Sequence, residues 1–158
     1  MLNLVIAVAG ADDAGEILTL QRAAFLRDAQ IYDDPFLPSL VQTVDELRAE
    51  IIDPDRIVLK ATLGHRIVGS VRGHIANRTC SIGRLMTAPD LEGQGIGGVL
   101  MAAIEERAAP LVDQYELGTG AKSTSNIAMY ERRGYRLVEE HEASPGMTVV
   151  SMTKPVGR

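Results

Sequence analysis

The stretch "RLMTAPDLEGQGIGGVLMAAIEERA", residues 84–108, constrains this chain more than any other. An apolar segment runs into Gly93, Gly95, Gly97 and Gly98, four glycines within six residues, and a helical pattern follows at once. Glycine in regular structure costs roughly 0.5–1 kcal/mol, so a cluster of this kind marks backbone that turns left-handed or comes close to a ligand. At a helix start the successive N–H groups have no intrahelical partner. Together with the helix dipole they form a concave anion site, and glycine lets a pyrophosphate lie against the main chain. Here the backbone of Gln94, Gly95, Ile96, Gly97, Gly98 and Val99 would supply that grip.

Two other glycine-turn chemistries fit the neighbouring residues less well. Gly93 and Gly98 have P-loop spacing, but Val99 and Leu100 stand where the phosphate lysine and the magnesium hydroxyl belong. Gly93, Gly95 and Gly98 match the dinucleotide fingerprint G-x-G-x-x-G, and Glu116 lies 18 residues beyond Gly98. Yet "APDLE" separates the strand from the first glycine, and only one βαβ unit is available instead of two halves.

The surrounding pattern sets the fold class. "LNLVIAVAG" reads as a buried strand: it is about half a membrane span and has no basic flank before it. "ADDAGEILTLQRAAFLRDA" has helical spacing, with Asp12 and Asp13 placed favourably at its start. A proline- and acid-rich loop, "QIYDDPFLPSLVQ", precedes a short helix opened by Thr43 and Glu46 at capping-box spacing. "RIVLKATL", "HRIVGSVRGHI" and "CSIGRLMT" read as three strands of a meander. After the glycines come a helix over about 96–109, the strand "YELGT", a helix over about 124–133, and two strands joined through Ser144, Pro145 and Gly146. The predicted order is βααβββαβαββ, an α/β chain with a mixed sheet in a single domain spanning 1–158.

Composition narrows the partners. A net charge of −5, with no basic run, argues against nucleic acid and suits small cationic molecules. The single cysteine, Cys80, cannot pair within the chain, and no Cys/His cluster has metal-ligand spacing, so a reducing cytoplasm is expected and no metal. Nothing reads as a membrane span.

The glycine stretch resembles the acetyl-coenzyme A motif of the GCN5-related N-acetyltransferase (GNAT) family, Q/R-x-x-G-x-G/A after a strand ending apolar-x-V-x-P. Leu85, Met86, Thr87, Ala88 and Pro89 occupy the strand end, and Gly95 and Gly97 the two glycine positions. Glu92 departs from the pattern, standing where the family has Gln or Arg. A second block, "STSNIAMYERRGY", is similar, with slight shortening, to the family's N-x-x-A/S-x-x-Y signature with its Gly-aromatic pair, carried by Asn126, Tyr130, Gly134 and Tyr135. Asn126 and Tyr130 are four residues apart and share a helix face; Gly134 suits a left-handed helix end.

The resemblance implies the GNAT fold and direct acetyl transfer from acetyl-coenzyme A to a primary amine. It implies that Leu85, Met86 and Thr87 flank the coenzyme, with an oxyanion donor near Met86 or Thr87. Asn126 would bond the pantetheine arm, and Tyr130 would protonate the departing thiolate. The strand before the glycines lacks a glutamate to act as base; Glu116 is the candidate, with Asp33 and Asp34 behind it. Tyr32, Asp33 and Asp34 would line the acceptor side and favour a cationic amine or polyamine. Other acceptors are an aminoglycoside-like antibiotic, an amino acid, or a protein N-terminus or lysine. A non-catalytic acetyl-coenzyme A sensor of the same fold is the alternative, and relatives suggest a homodimer.

Overall fold

The computed structural model describes residues 2–157. Its elements run β1 (Val5–Val8), α1 (Ala14–Tyr32), α2 (Pro38–Val41), α3 (Val44–Ile52), β2 (Arg56–Leu63), β3 (Arg66–Ala76) and β4 (Thr79–Thr87). They continue with α4 (Ile96–Ala108), β5 (Gln114–Gly120), α5 (Thr124–Arg132), β6 (Arg136–Ser144) and β7 (Met147–Pro155). All seven strands join one sheet in the order β1-β2-β3-β4-β5-β7-β6. Only β4 and β5 pair in parallel, because α4 carries the chain between them.

Local chemistry accounts for the boundaries. Thr43 caps α3 by accepting from the Glu46 N–H, while the Glu46 carboxylate accepts from the Thr43 N–H, as the spacing predicts. The meander holds: β2–β3 and β3–β4 are antiparallel, and the second turn is made by Asn77 and Arg78, both left-handed. Central β3 is buried from Ile67 to Gly73, as a strand covered on both faces must be. The core lies on both sides of it, against α4 on one face and α1 with α3 on the other.

β1 and the segment after α1 differ from what their sequences suggest. β1 is an edge strand paired only to β2, with Val5 and Val8 exposed, so its apolar run does not mean full burial. The segment read as a loop is partly helical: Gln30, Ile31 and Tyr32 complete α1, and Pro38–Val41 forms α2 with proline in its first turn.

One feature of the sheet positions the site. The β4–β5 ladder runs from Thr79↔Gln114 to Ile82↔Leu117 and stops, while β4 continues to Thr87. At the same level β4 bulges, since Arg72 pairs with Gly83 and Ser70 with Met86, leaving two residues, Arg84 and Leu85, opposite Val71. Arg84 takes φ +52°, rare for a residue with a side chain. The two parallel strands therefore part, and the sheet opens between them.

Candidate active site

The opening leads into a cleft of about 610 Å³, within the size range of small-ligand sites. Its walls are Leu85, Met86 and Thr87 of β4, the glycine turn, the N-terminal half of α5 with the loop before it, and one side of α1. From α1 come Ala24, Phe25, Arg27, Asp28 and Ile31.

The glycine turn is built for an anion. Gly95 is the N-cap of α4 with φ +84°, where any larger residue would be strained, and the first helical bond is Val99 N–H to Gly95 C=O. The amides of Ile96, Gly97 and Gly98 thus lack an intrahelical acceptor. Arg133 lies beside Gly98 with a buried, unpaired Nε. Arg27, Lys122 and Arg132 also line the cleft, so cations gather here in a chain of net charge −5. The nearby Glu92 carboxylate is held by Arg27 at 2.9 Å.

Across the cleft, α5 presents Asn126 and Met129, with Gly134 left-handed just past the helix end at φ +97°. Tyr130 stands behind them, 8% exposed, edge-on to Tyr135 with ring centroids 6.0 Å apart. Burial, and then the Asp28 carboxylate, push its phenol up to about 12. Asp28 is itself raised above the ordinary carboxylate value by burial, with Arg27 opposing. On β4, Ala88 N–H bonds Val68 C=O, so strand alternation turns the Thr87 N–H the other way, into the gap left by β5.

The acetyltransferase (GNAT) domain family profile matches residues 25–156. The chain belongs to the GNAT acetyltransferase family. Among solved structures, the PaiA N-acetyltransferase of Thermoplasma acidophilum, in complex with coenzyme A, superposes at TM-score 0.83 and 16% identity, over 98% of this chain and 99% of that one. The ribosomal-protein-S18-alanine N-acetyltransferase of Escherichia coli gives 0.81 at 14%, over 98% and 95%. A spermidine N-acetyltransferase SpeG chimera from Vibrio cholerae and hSSAT gives 0.76 at 15%, over 96% and 95%. No curated protein sequence matches the chain.

As a GNAT enzyme it takes acetyl-coenzyme A as cosubstrate. Free amides at the α4 start, the orphaned Arg133 Nε and the flanking cations fit the phosphates of that molecule. Of the residues expected to bind it, Leu85, Met86, Thr87, Gly95, Ile96, Gly97, Gly98 and Asn126 line the cleft. Gln94, Val99 and Tyr130 do not; Val99 faces outward on α4, and Tyr130 is a layer deeper.

The expected acceptor residues are not brought to the GNAT cleft. Tyr32 is buried as a pin: its hydroxyl accepts from the Lys122 N–H at 3.1 Å, bonds Ser123 at 3.3 Å, and packs where a Gly120 side chain would be. Asp33 is the left-handed cap of α1 and Asp34 accepts from the Phe36 N–H, so both serve the turn that ends the helix. Glu116 lies outside the cleft on the sheet face of α1 and α3. It accepts from the Ser81 hydroxyl at 2.6 Å and lines a separate hollow of about 430 Å³, walled by β5, β6 and β7 and reaching Ser81 and Ile82 at the last β4–β5 pairs.

Sequence reasoning missed the contribution of α1. A signal was present: in "ILTLQRAAFLRDAQIY", Gln21 and Asp28 interrupt the inward stripe of Ile17, Ala24, Phe25 and Ile31. Gln21 is fully buried and bonds Ser39 and Gln42; Asp28 reaches the cleft.

Proposed function

We propose that this chain, acting as a single domain, transfers an acetyl group directly to a primary amine. The observation that carries the reading is the parted β4–β5 pair, which opens into a cleft lined by the helix start of α4, with a buried tyrosine behind it. When bound, acetyl-coenzyme A supplies an acetyl thioester.

Gly95, Ile96, Gly97 and Gly98 hold the phosphates through backbone amides, with Gln94 and Val99 completing the turn, and Asn126 addresses the amide-rich arm. The Thr87 N–H, aimed into the strand gap, stabilises the oxyanion that develops at the acyl carbonyl. An amine of pKa ~10.4 must lose a proton to attack. Glu116, oriented by Ser81, which stands six residues along β4 from Thr87, takes that proton through a relay of water molecules. The new N–C bond forms as the C–S bond breaks; Tyr130 donates its proton to the departing thiolate and regains one from the nitrogen, which sheds its second proton on becoming an amide. At neutral pH its phenol, at about 12, is fully protonated. Burial, and after it the Asp28 charge, keep it so.

Thiol release measured against an amine panel tests this reading. Release that depends on the amine supports it, whereas coenzyme binding without release from any amine favours a sensor module. The named acceptors of structural neighbours, ribosomal-protein alanine and spermidine, differ, so peptide N-termini and polyamines both belong in the panel. The proposed location is the cytoplasm; no helix among the described residues is long and apolar enough to cross a membrane. We also propose a homodimer, for which β6 is the surface: it is an edge strand exposed along its whole length, with Leu137 and Val138 open.

A further inference from the structure

We propose that Arg84 is an anion subsite for the acceptor, and that the amine which this enzyme acetylates carries a carboxylate on the same small molecule. The inference rests on the acetyltransferase reading above and names its substrate class.

Arg84 sits in the β4 bulge at the level where β5 departs. In strand alternation Leu85 turns toward Gly97 and α4. Arg84 is the extra residue, and at φ +52° its side chain joins Arg72 on the opposite face, within electrostatic reach of Glu50 and Arg72. That is the face of Glu116 and the open hollow, since Ser81 pairs in register with both His74 and Glu116, and Arg72 lies two residues from His74. Left-handed backbone is unfavourable for arginine, so the fold carries strain whose result is a guanidinium on the sheet face of Glu116, beside Arg72 and Glu50.

This guanidinium has no partner of its own. It is half-buried, its Nε is sealed from solvent without a hydrogen bond, and it makes no ion pair among the described residues. Glu50, the carboxylate whose charge reaches Arg84, is already engaged by Gln42 at 2.7 Å, Arg72 at 3.1 Å and Arg56 at 3.6 Å. Burial lowers the Arg84 pKa, with Glu50 opposing, yet an arginine stays charged at neutral pH. A partly desolvated cation without a counter-ion is a costly arrangement unless a ligand supplies one. The planar fork of a guanidinium matches a carboxylate through two parallel N–H···O bonds. The glycine turn begins well beyond Thr87, and Thr87 is itself three residues, about 10 Å, along the strand from Arg84. The coenzyme phosphates therefore belong to the turn, and Arg84 is left for the second substrate. A polyamine or a peptide N-terminus offers no carboxylate near its amine and leaves this charge unmatched.

The test is a matched series: glycine, β-alanine, 4-aminobutyrate, 5-aminovalerate and 6-aminohexanoate, with the common α-amino acids, each against its primary amide. Thiol release is followed with wild-type enzyme, Arg84→Gln, Arg84→Lys and Arg84→Gly, the last suited to the left-handed backbone and so secure in fold. At least one acid is expected to exceed its amide tenfold or more in kcat/KM. Arg84→Gln and Arg84→Gly should reduce that ratio below threefold while amide turnover and acetyl-coenzyme A affinity stay within twofold, and Arg84→Lys should restore part of it. Titration of each N-acetyl acid and its amide into the protein with coenzyme A reads the same preference without turnover. Equal treatment of acids and amides, or a preference that persists in Arg84→Gln, overturns the assignment while leaving the acetyltransferase reading intact. Failure to bind acetyl-coenzyme A at all overturns both.

Discussion

Arg27 of α1 and Glu92 of the glycine turn form an ion pair at 2.9 Å across the mouth of the coenzyme cleft. The pair answers the departure at Glu92: the carboxylate beside the pyrophosphate site is neutralised from the facing helix. Both side chains are well exposed, 66% and 41%, so the bond itself is weak, about 0.2–1 kcal/mol, and phosphates can compete for Arg27. Arg27→Ala should weaken acetyl-coenzyme A binding about three- to tenfold by titration calorimetry at low salt, and Glu92→Gln should tighten it two- to threefold, which is roughly 0.4–1.4 kcal/mol. Weaker binding in Glu92→Gln would mean that the carboxylate itself assists the ligand.

Tyr130 is deep enough to be held by packing yet close enough to Asp28 to feel its charge. Tyr130→Phe should lower kcat by roughly 10²-fold or more, the usual scale for a lost general acid, with coenzyme affinity unchanged within twofold. Because the phenol is pushed up to about 12, it contributes no alkaline limb to the rate profile below about pH 11. A limb between pH 8 and 10 that vanishes in Tyr130→Phe would contradict that.

Asp28 gives a stability prediction with a definite sign. Its folded pKa lies above the ordinary 3.8, so the folded state holds the proton more tightly than the unfolded chain. The stability this supplies is complete below pH 3.8 and is lost as the pH rises through the raised folded value. Asp28→Asn should therefore melt higher than wild type at pH 7, with the advantage disappearing toward pH 3. Equal melting temperatures at pH 7 would show that the carboxylate carries no burial cost.

Tyr32 and Gly120 test whether α1 is pinned to the loop before α5. A side chain at Gly120 would collide with the Tyr32 ring, so Gly120→Ala should cost about 1–3 kcal/mol in urea unfolding. Tyr32→Phe removes the acceptor of the Lys122 N–H and should cost about 1 kcal/mol. A neutral Gly120→Ala would show that the contact relaxes freely.

Much of this architecture was legible in the chain because it depends on local chemistry. The Thr43 and Glu46 cap, the turn at Asn77 and Arg78, and Gly95 at the start of α4 all follow from residues within a few positions of one another. The acceptor side was not legible in this way. Tyr32, Asp33 and Asp34 look like an exposed acidic-aromatic loop, but Tyr32 is consumed by contacts with Gly120 and Ser123, roughly 90 residues away in sequence. Asp28 was hidden inside an apolar helix stripe. Arg84 looked like an ordinary strand residue, since neither a bulge nor a positive φ announces itself when the residue is not glycine.

The central claim is that the glycine turn and the parted strands bind acetyl-coenzyme A and pass its acetyl group to an amine. Titration of the purified chain with acetyl-coenzyme A, followed in the same preparation by thiol release with and without amines, tests it most directly. The expected result is saturable one-site binding, abolished or strongly weakened in Gly95→Val, and thiol release that requires an amine. Absence of binding by the wild-type chain, or thiol release indifferent to the amine, would contradict the account.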